Sequence, residues 1–203
     1  RGLSPIFCEE KRTTNSVCHD FFNDASFYDF LFQVDLDIAS KVQQQPCQYC
    51  GGCLHSARYP RGPRHCLSGD YQTRLSFCCN KEGCRRRTTP PSVRFLGRKV
   101  YLGVIVILIT ALNHGLSHQR RQRLFDQLDI NPQTFYRWRT WWRALFPTSR
   151  CWQVARSQFM PPLNHDQLPG ALLGRFTGRD LAQRLCQFLQ LLLPLSTTSC
   201  PVI

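Results

Sequence analysis

Apolar side chains recur at helical spacing along much of the chain. In residues 27–42 they return every three or four positions with acidic residues between them, which predicts an amphipathic helix. The same period returns after Pro91 and predicts a helical second half. Between these parts, polar and apolar residues alternate in residues 73–77, which predicts a strand. The pattern therefore predicts a mainly α-helical chain with a small β region.

A short break separates two predicted helices in the second half of the chain. The first, at residues 117–128, begins after Ser117, a favourable N-cap residue. The second follows the break "DIN", with Asn131 as its N-cap and Pro132 in the first helical position, and Pro147 ends it. A helix, a short turn and a capped second helix are typical of a helix-turn-helix motif.

The second of these helices has two different faces. Its apolar stripe is expected to be buried and contains Phe135, Trp138, Trp142 and Leu145. The other face, which also includes Trp141, is expected to be exposed. In helix-turn-helix proteins the early positions of the second helix face base edges, where Gln pairs with adenine and Arg with guanine. The candidate DNA-reading residues are Gln133, Thr134, Tyr136, Arg137 and Thr140. The alternative is an ordinary helical hairpin whose aromatic residues only form a core.

Two further stretches are strongly apolar. Residues 100–112 read "VYLGVIVILITAL", which is shorter than the roughly 20 residues that a helix needs to cross a bilayer. They predict a buried core helix or strand and no membrane partner. Near the C-terminus, the capping pattern "TGRD" at residues 177–180 precedes an apolar stripe made of Leu181, Leu185, Phe188 and Leu192. This stripe is expected to pack against the body of the protein or against a second copy in a homodimer.

The formal net charge is +13, and the positive charge is concentrated in the middle of the chain. Residues 51–100 hold 11 Lys or Arg and 2 Asp or Glu, whereas residues 1–50 are slightly acidic. Such an uneven distribution favours a polyanionic partner, most simply double-stranded DNA. A soluble basic protein without this partner is the alternative, because charge alone does not set a binding mode.

Seven of the twelve cysteines crowd into residues 47–84. Cys47 and Cys50 form a C-x2-C pair that is followed by two glycines, and Cys79 and Cys84 form a C-x4-C pair. Two such pairs on turns that flank a β-hairpin make a zinc ribbon, in which four thiolates hold a structural Zn²⁺. The sequence therefore predicts a zinc ribbon with these four cysteines as its ligands.

Other ligands stay open from the sequence alone, namely Cys53, His55, His65, Cys66 and, in place of Cys79, Cys78. A catalytic zinc needs an open coordination position and a nearby base, and Glu82 is the only acid beside the pairs, which favours a structural ion. Buried cysteines without a metal are the remaining alternative. A disulfide framework is disfavoured by the metal-ligand spacing, and "RGLSPIFCEE" shows no export leader, so a cytoplasmic location is expected.

Arginines lie within the expected ribbon, both directly after the last cysteine and in the hairpin region between the two cysteine pairs. Three of them follow the last cysteine directly, where a metal-bound turn would hold them in place. Three more lie in the proline-interrupted stretch "ARYPRGPRH". Arginines in such segments suit contacts with phosphates or the minor groove, and a solvated basic loop is the alternative. The candidate phosphate-binding residues are Arg58, Arg61, Arg64, Arg85, Arg86 and Arg87.

With paired cysteines followed by a helix-turn-helix pattern, the chain resembles the DNA-binding portions of bacterial insertion-sequence transposases and their small accessory proteins. The segments "CCNKEGCRRRTTPPSVRFLGRKVYLG" and "FYRWRTWWRALFP" are similar to parts of small proteins encoded by bacterial mobile elements, and the similarity covers about residues 27–195. The resemblance implies the four paired cysteines as zinc ligands and residues 132–146 as the reading helix. It also implies recognition of element-end DNA, or repression or assistance of a separate transposase. One departure is the C-x4-C pair, where the commoner ribbon has C-x2-C.

The catalytic half of such transposases is not expected in this chain. Their strand-transfer chemistry needs three carboxylates on an RNase H-like scaffold that holds two metal ions. Only four acidic residues follow residue 91, and none of them is a glutamate: Asp126, Asp129, Asp166 and Asp180. We therefore expect no enzyme but a sequence-specific DNA-binding protein of a mobile element, associated with the nucleoid. The alternatives are the DNA-binding front end of a split or truncated transposase and a zinc-ribbon protein–protein adaptor.

The predicted fold is mainly α with a small β zinc ribbon, in which the ribbon is followed by a helix-turn-helix helical domain. Residues 1–26 are an unassigned segment, and residues 27–44 form a lead-in helix. Residues 45–90 form the ribbon, residues 91–147 the helix-turn-helix domain, and residues 148–203 a C-terminal helical region.

Overall fold

A computed structural model describes residues 24–61, 69–97, 102–112, 117–127 and 129–197 of the chain. Helices dominate in this part, and a small antiparallel sheet lies among the cysteines, as the sequence predicted. Three candidate residues of the sequence analysis lie outside the described residues, namely Arg64, His65 and Cys66.

The first helix, α1 (Ala25–Gln43), is the amphipathic helix predicted before the cysteines. Asp24 caps it, because its carboxylate accepts a hydrogen bond from the Phe27 amide at 3.2 Å. Its buried face reaches two separate hydrophobic clusters. Leu31 lies in the large cluster formed by the later helices, whereas Ala39 lies in the small cluster around the cysteines. Helix α1 therefore connects the two clusters.

The cysteine-rich part is built from short strands, and a one-turn helix, α2 (Gly69–Gln72), precedes the third. The strands are β1 (Leu54–Ser56), β2 (Tyr59–Pro60), β3 (Thr73–Arg74), β4 (Phe77–Cys79) and β5 (Arg87–Thr88). One antiparallel sheet has the order β1–β4–β5, and β2 pairs separately with β3. The strand predicted at residues 73–77 is present as β3 and the start of β4, with a break at Leu75 and Ser76. The pairing register is the same on both sides of the break, where the Ser76 hydroxyl donates to the Ala57 carbonyl oxygen at 2.5 Å and the Ser76 carbonyl accepts from the Ala57 amide.

The helical half packs around one very apolar helix. This helix, α3 (Gly103–Leu112), contacts three of the later helices, and its residues from Val104 to Ile109 are at most 2% exposed. The structure thus decides for the core helix over the strand that the sequence left open. The later helices are α4 (His118–Gln127), α5 (Pro132–Thr140), α6 (Arg150–Ala155), α7 (Gly170–Leu173) and α8 (Leu181–Leu191).

Helix α5 begins as predicted and ends differently. The Asn131 side chain accepts a hydrogen bond from the Gln133 amide at 2.8 Å, so the predicted N-cap is confirmed. After Thr140, however, the chain forms a wider π turn, Trp141–Leu145. A π turn advances each residue by less than the 100° of an α-helix, so side chains beyond it shift around the axis. Leu145, which follows the start of this turn, is consequently 40% exposed, whereas Trp141, whose amide still donates to the Arg137 carbonyl as in an α-helix, is buried; both are the reverse of the prediction.

The C-terminal helix α8 carries the predicted leucine stripe, and this stripe packs inside the chain. Leu185, Phe188 and Leu192 are at most 1% exposed and belong to the large helical cluster. The N-cap of this helix is Asp180, the last residue of the predicted capping pattern and not the first. Its carboxylate accepts a hydrogen bond from the Gln183 amide at 2.8 Å. Within the described residues, no helix is both long and apolar enough to cross a membrane.

Candidate metal centre and basic surfaces

Four cysteine side chains converge beside the small sheet. The Sγ atoms of Cys47, Cys50, Cys79 and Cys84 all lie within 4.8 Å of one another. Cys47 and Cys84 have their sulfurs 3.9 Å apart, and the sulfurs of Cys50 and Cys79 are 3.4 Å apart. Four thiolates at about 2.3 Å from one tetrahedral ion are about 3.8 Å from each other. The observed spacing therefore fits a single tetrahedrally bound metal ion.

The first pair sits in a tight turn that depends on two glycines. The amides of Cys50 and Gly51 donate to the Cys47 carbonyl oxygen at 3.3 and 2.8 Å, and Gly51 has a φ of +71°. A side chain is strongly disfavoured at such a φ, which explains the glycine. Gly52 is needed for space instead, because a Cβ there would lie 2.9 Å from the Cys79 sulfur.

The second pair is spaced by four residues because its turn is longer. Cys79 ends β4, and its sulfur accepts a hydrogen bond from the Lys81 amide at 3.4 Å. The Lys81 carbonyl in turn accepts from the Cys84 and Arg85 amides at 3.1 and 3.3 Å. Gly83 and Arg85 have φ values of +82° and +45°, so the backbone reverses twice and returns the Cys84 sulfur to the cluster. The longer spacing is therefore compatible with the same four-sulfur centre.

Proton affinities differ among these thiols. Amide hydrogen bonds, first from Tyr49 and also from Cys50, lower the pKa of Cys47 to about 7 against the opposing effect of burial. The Lys81 amide lowers the pKa of Cys79, but burial and the Cys84 and Cys47 thiols together raise it above its ordinary value. The Arg86 amide likewise lowers the pKa of Cys84, and the Cys50 thiol, burial and the Cys47 thiol together outweigh it, so this pKa is raised as well. Metal ligation requires thiolates, so the Cys47 thiol is the one poised to lose its proton near neutrality.

The other ligand candidates within the described residues do not join the cluster. Cys78 lies on the outer face of β4, where its thiol donates to the Arg85 carbonyl at 3.2 Å, so Cys79 is the cysteine that faces the cluster. Cys53, just before β1, and His55, on β1, are exposed. All the described cysteines carry free thiols, and the cluster distances far exceed the roughly 2.05 Å of a disulfide bond.

The arginines near the cysteines divide into exposed and engaged side chains. Arg58 and Arg85 are exposed. Arg61 is half-buried and donates to the Gly97 carbonyl, which ties this segment to the helical half. Arg86 is exposed and lies 4.2 Å from the ring centroid of Tyr49. Arg87 is exposed as well, although it donates to the Ala57 carbonyl at 3.3 Å and to the Ser76 hydroxyl at 3.2 Å.

Tyr49 marks the surface between the two cysteine pairs. It is 61% exposed although it is aromatic, and it stands between the cysteines of the first pair. The Arg86 guanidinium covers its ring, which forms a cation–π contact. Arg86 and Tyr49 therefore present a joint aromatic and cationic surface on the two cysteine turns.

The face of α5 that was predicted to read DNA is the face that points to solvent. Gln133, Tyr136, Arg137 and Thr140 are exposed, and Thr134 is half-buried. At 100° per residue the five side chains occupy about 160° of the helix surface. Phe135 and Trp138 on the opposite side are at most 3% exposed. The structure thus brings the five candidates onto one surface. The contact of this surface with DNA stays a prediction.

A second group of arginines was missed in the sequence. Arg121 on α4 lies four residues before the buried Phe125 and therefore shares its face. Arg139 and Arg143 are half-buried on and after α5. The overlooked signal is the spacing of these arginines. Arg121 lies four residues before Phe125 on α4, and Arg139 lies four residues after Phe135 on α5.

Comparison with known proteins adds nothing to this description. No protein-family model matches the chain, and no significant match exists among curated proteins or solved structures. The resemblance to proteins of insertion sequences is therefore supported only by the two quoted segments and the order of the motifs.

Proposed function

We propose that this chain is a zinc-stabilised, sequence-specific binding protein for double-stranded DNA. The observation that carries the proposal is the split surface of α5. Its first two turns expose Gln133, Tyr136 and Arg137, which are suited to base edges, while Phe135 and Trp138 fix the helix to the core. A solvent-facing helix end with these side chains, on a strongly basic chain, is what major-groove reading requires.

Zinc is proposed for the four-cysteine centre. Four thiolates without an oxygen or nitrogen ligand suit zinc or iron, and zinc is the usual ion of structural ribbons. Cys47, Cys50, Cys79 and Cys84 would hold it, and with no open position its contribution is folding free energy rather than chemistry. The ion would fix the turn that carries Arg85 and Arg86 and so reduce the entropy lost when these arginines bind phosphates.

Phosphate contact is proposed for the arginines beside the metal-binding turns. Arg58, Arg85 and Arg86 are exposed there, and Glu82 is the one acidic residue on the second turn. Such contacts set position and affinity without reading sequence. The surface of α5 then supplies the sequence preference.

We assign this DNA binding to a mobile element, as a transposase accessory protein or regulator, on the strength of the resemblance alone. No enzymatic role is proposed. The acids that follow residue 91 have other positions or partners: Asp180 caps α8, and Asp126 accepts from the Gln122 side chain at 2.9 Å. A split transposase, with its catalytic domain on a separate chain, remains compatible with the same DNA-binding surface.

An adaptor role is the second candidate, and one observation favours it. An open groove of about 550 Å³ lies between α1 and α8, and Phe30 on its rim is 51% exposed. Such a groove suits a segment of another protein.

Metal analysis combined with selection of bound DNA tests the proposal. The purified full-length chain should contain one equivalent of zinc, and selection from a random duplex library should enrich one motif. Affinity for random duplex DNA should fall steeply as the salt concentration rises, because phosphate neutralisation releases counterions. Weak binding that hardly depends on salt would reject the DNA-binding role and favour the adaptor, and iron in place of zinc would reject the assignment of the ion.

A further inference from the structure

Three arginines lie at the edge of the contact between α4 and α5. Phe125 and Phe135 meet across this contact with ring centroids 5.1 Å apart. Arg121 lies one helical turn before Phe125, and Arg139 lies one turn after Phe135, so both arginines extend the same contact away from the connecting turn. The Arg139 guanidinium is 5.8 Å from the Phe135 ring centroid. Arg143 follows Arg139 by four further residues.

Among the described residues, no carboxylate forms a salt bridge with any of these three arginines. Burial and the neighbouring charges of Arg143 and Arg121 lower the pKa of Arg139, and Tyr136 is the one group that acts in the opposite direction. Three half-buried guanidinium groups that repel one another destabilise the folded chain. Such an arrangement is stabilised by an anion.

The hydrogen bonds of the group point the same way. Arg143 is anchored, because its Nε and Nη2 atoms donate to the Asp166 carbonyl at 3.2 and 2.9 Å. The Nε atom of Arg121, in contrast, is buried and has no hydrogen-bond partner. Buried donors are nearly always paired, so this atom requires an acceptor.

We propose that Arg121, Arg139 and Arg143 form a binding site for a phosphate group. A phosphate supplies the negative charge, and the planar guanidinium fork matches its oxygens. It also provides an acceptor for Arg121 Nε once the Arg121 side chain turns toward solvent, because this atom is covered in the structure. In the further step, which rests on the proposed function, the phosphate belongs to the DNA backbone next to the bases read by α5. Arg139 lies one helical turn after Tyr136, at the edge of the exposed face of α5, so one helix would provide both base and phosphate contacts.

Inorganic phosphate and the full-length protein test the site without DNA. Phosphate should raise the midpoint of thermal unfolding above its value in chloride at the same ionic strength. Arg139→Gln should abolish this rise and, because it relieves the repulsion, should not lower the midpoint in chloride. Arg123→Gln is the matched control, since Arg123 is an exposed arginine of α4, and it should keep the full response. Arg121→Gln provides a second variant in case Arg139→Gln fails to fold.

Duplex DNA then separates a nucleic-acid phosphate from a free one. The slope of log affinity against log salt should become shallower by about 0.9 for each DNA phosphate that Arg139→Gln no longer neutralises, and it should not change in Arg123→Gln. If phosphate stabilises the wild type but DNA does not bind, the site stands and the DNA-binding role is wrong. If DNA binds but Arg139→Gln keeps both the wild-type slope and the phosphate response, the site is wrong and the DNA-binding role stands.

Discussion

The carboxylate of Asp35 accepts a hydrogen bond from Arg94 Nε at 2.8 Å, and the two side chains are almost completely buried. Asp35 lies on α1, and it also accepts from the Ser92 hydroxyl at 2.5 Å and the Val93 amide at 2.7 Å. The other end of Arg94 donates to the Tyr71 and Thr73 carbonyls at 2.5 and 2.9 Å. The ion pair therefore joins α1, the α2–β3 segment and the chain that leads into the helical half.

Removal of Asp35 is expected to destabilise the protein strongly. Asp35→Ala leaves the Arg94 charge buried without its partner, and the loss of one member of such a pair typically costs about 3–5 kcal/mol. Urea unfolding followed by circular dichroism measures the change. Asp37→Ala is the matched control, because Asp37 is an exposed carboxylate on the same helix. Equal stability of the two variants would mean that the buried pair contributes little to the fold.

Metal removal should disrupt the cysteine turns and leave the helical core in place. All four tryptophans of the chain, Trp138, Trp141, Trp142 and Trp152, are buried in the helical cluster, which does not include the four clustered cysteines. Chelation should therefore make four additional thiols reactive toward a thiol reagent, with little change in tryptophan emission. Cys47→Ser should lose the metal, whereas Cys53→Ser should keep it, since Cys53 is exposed outside the cluster. A large emission shift on chelation would show that the helical core itself depends on the ion.

Alkaline pH should weaken the fold through Cys186. Burial raises the pKa of this thiol above its ordinary value of 9.0, so the unfolded chain loses the proton first as the pH rises. The stabilising contribution is complete below pH 9.0 and is lost as the pH rises through the higher pKa of the folded state. The stability difference between wild type and Cys186→Ala should therefore shrink as the pH rises above 9.0. Urea midpoints at several pH values measure it, with Cys53→Ala as the exposed control, and a constant difference would contradict the shift.

Local signals in the sequence predicted the metal centre and the ends of several helices. The spacing of Cys47, Cys50, Cys79 and Cys84 and the adjacent glycines depends on short turns, which neighbouring residues determine. The caps Asn131 and Pro132 act within one helical turn and were predicted for the same reason.

Long-range packing explains the features that were not predicted. Asp35 and Arg94 are 59 residues apart, and nothing near either residue indicates the other. The π turn at Trp141–Leu145 accompanies aromatic packing, in which Trp141 and Trp142 both contact Phe146 at ring distances of 5.5 and 4.9 Å. Consecutive helical residues point 100° apart, so the assignment of one narrow buried stripe from periodicity placed Trp141 and Leu145 on the wrong sides.

The two proposed DNA contacts should respond differently to mutation. Arg137→Ala removes a base-reading side chain and should relax the preference at one position of the selected site, at a cost of about 1–3 kcal/mol. Arg85→Ala should weaken binding to specific and random duplexes equally and make the salt dependence shallower by one contact. Arg85 has a left-handed backbone conformation, which any residue with a Cβ adopts at a similar energetic cost. Alanine is therefore a suitable replacement, because it leaves this cost unchanged. Arg156→Ala, an exposed arginine outside both surfaces, should change neither property. Affinity for selected and random duplexes, measured across a salt series, distinguishes the two roles. Parallel losses of affinity in Arg137→Ala and Arg85→Ala on both kinds of DNA would contradict the proposed division between a reading helix and a phosphate-binding turn.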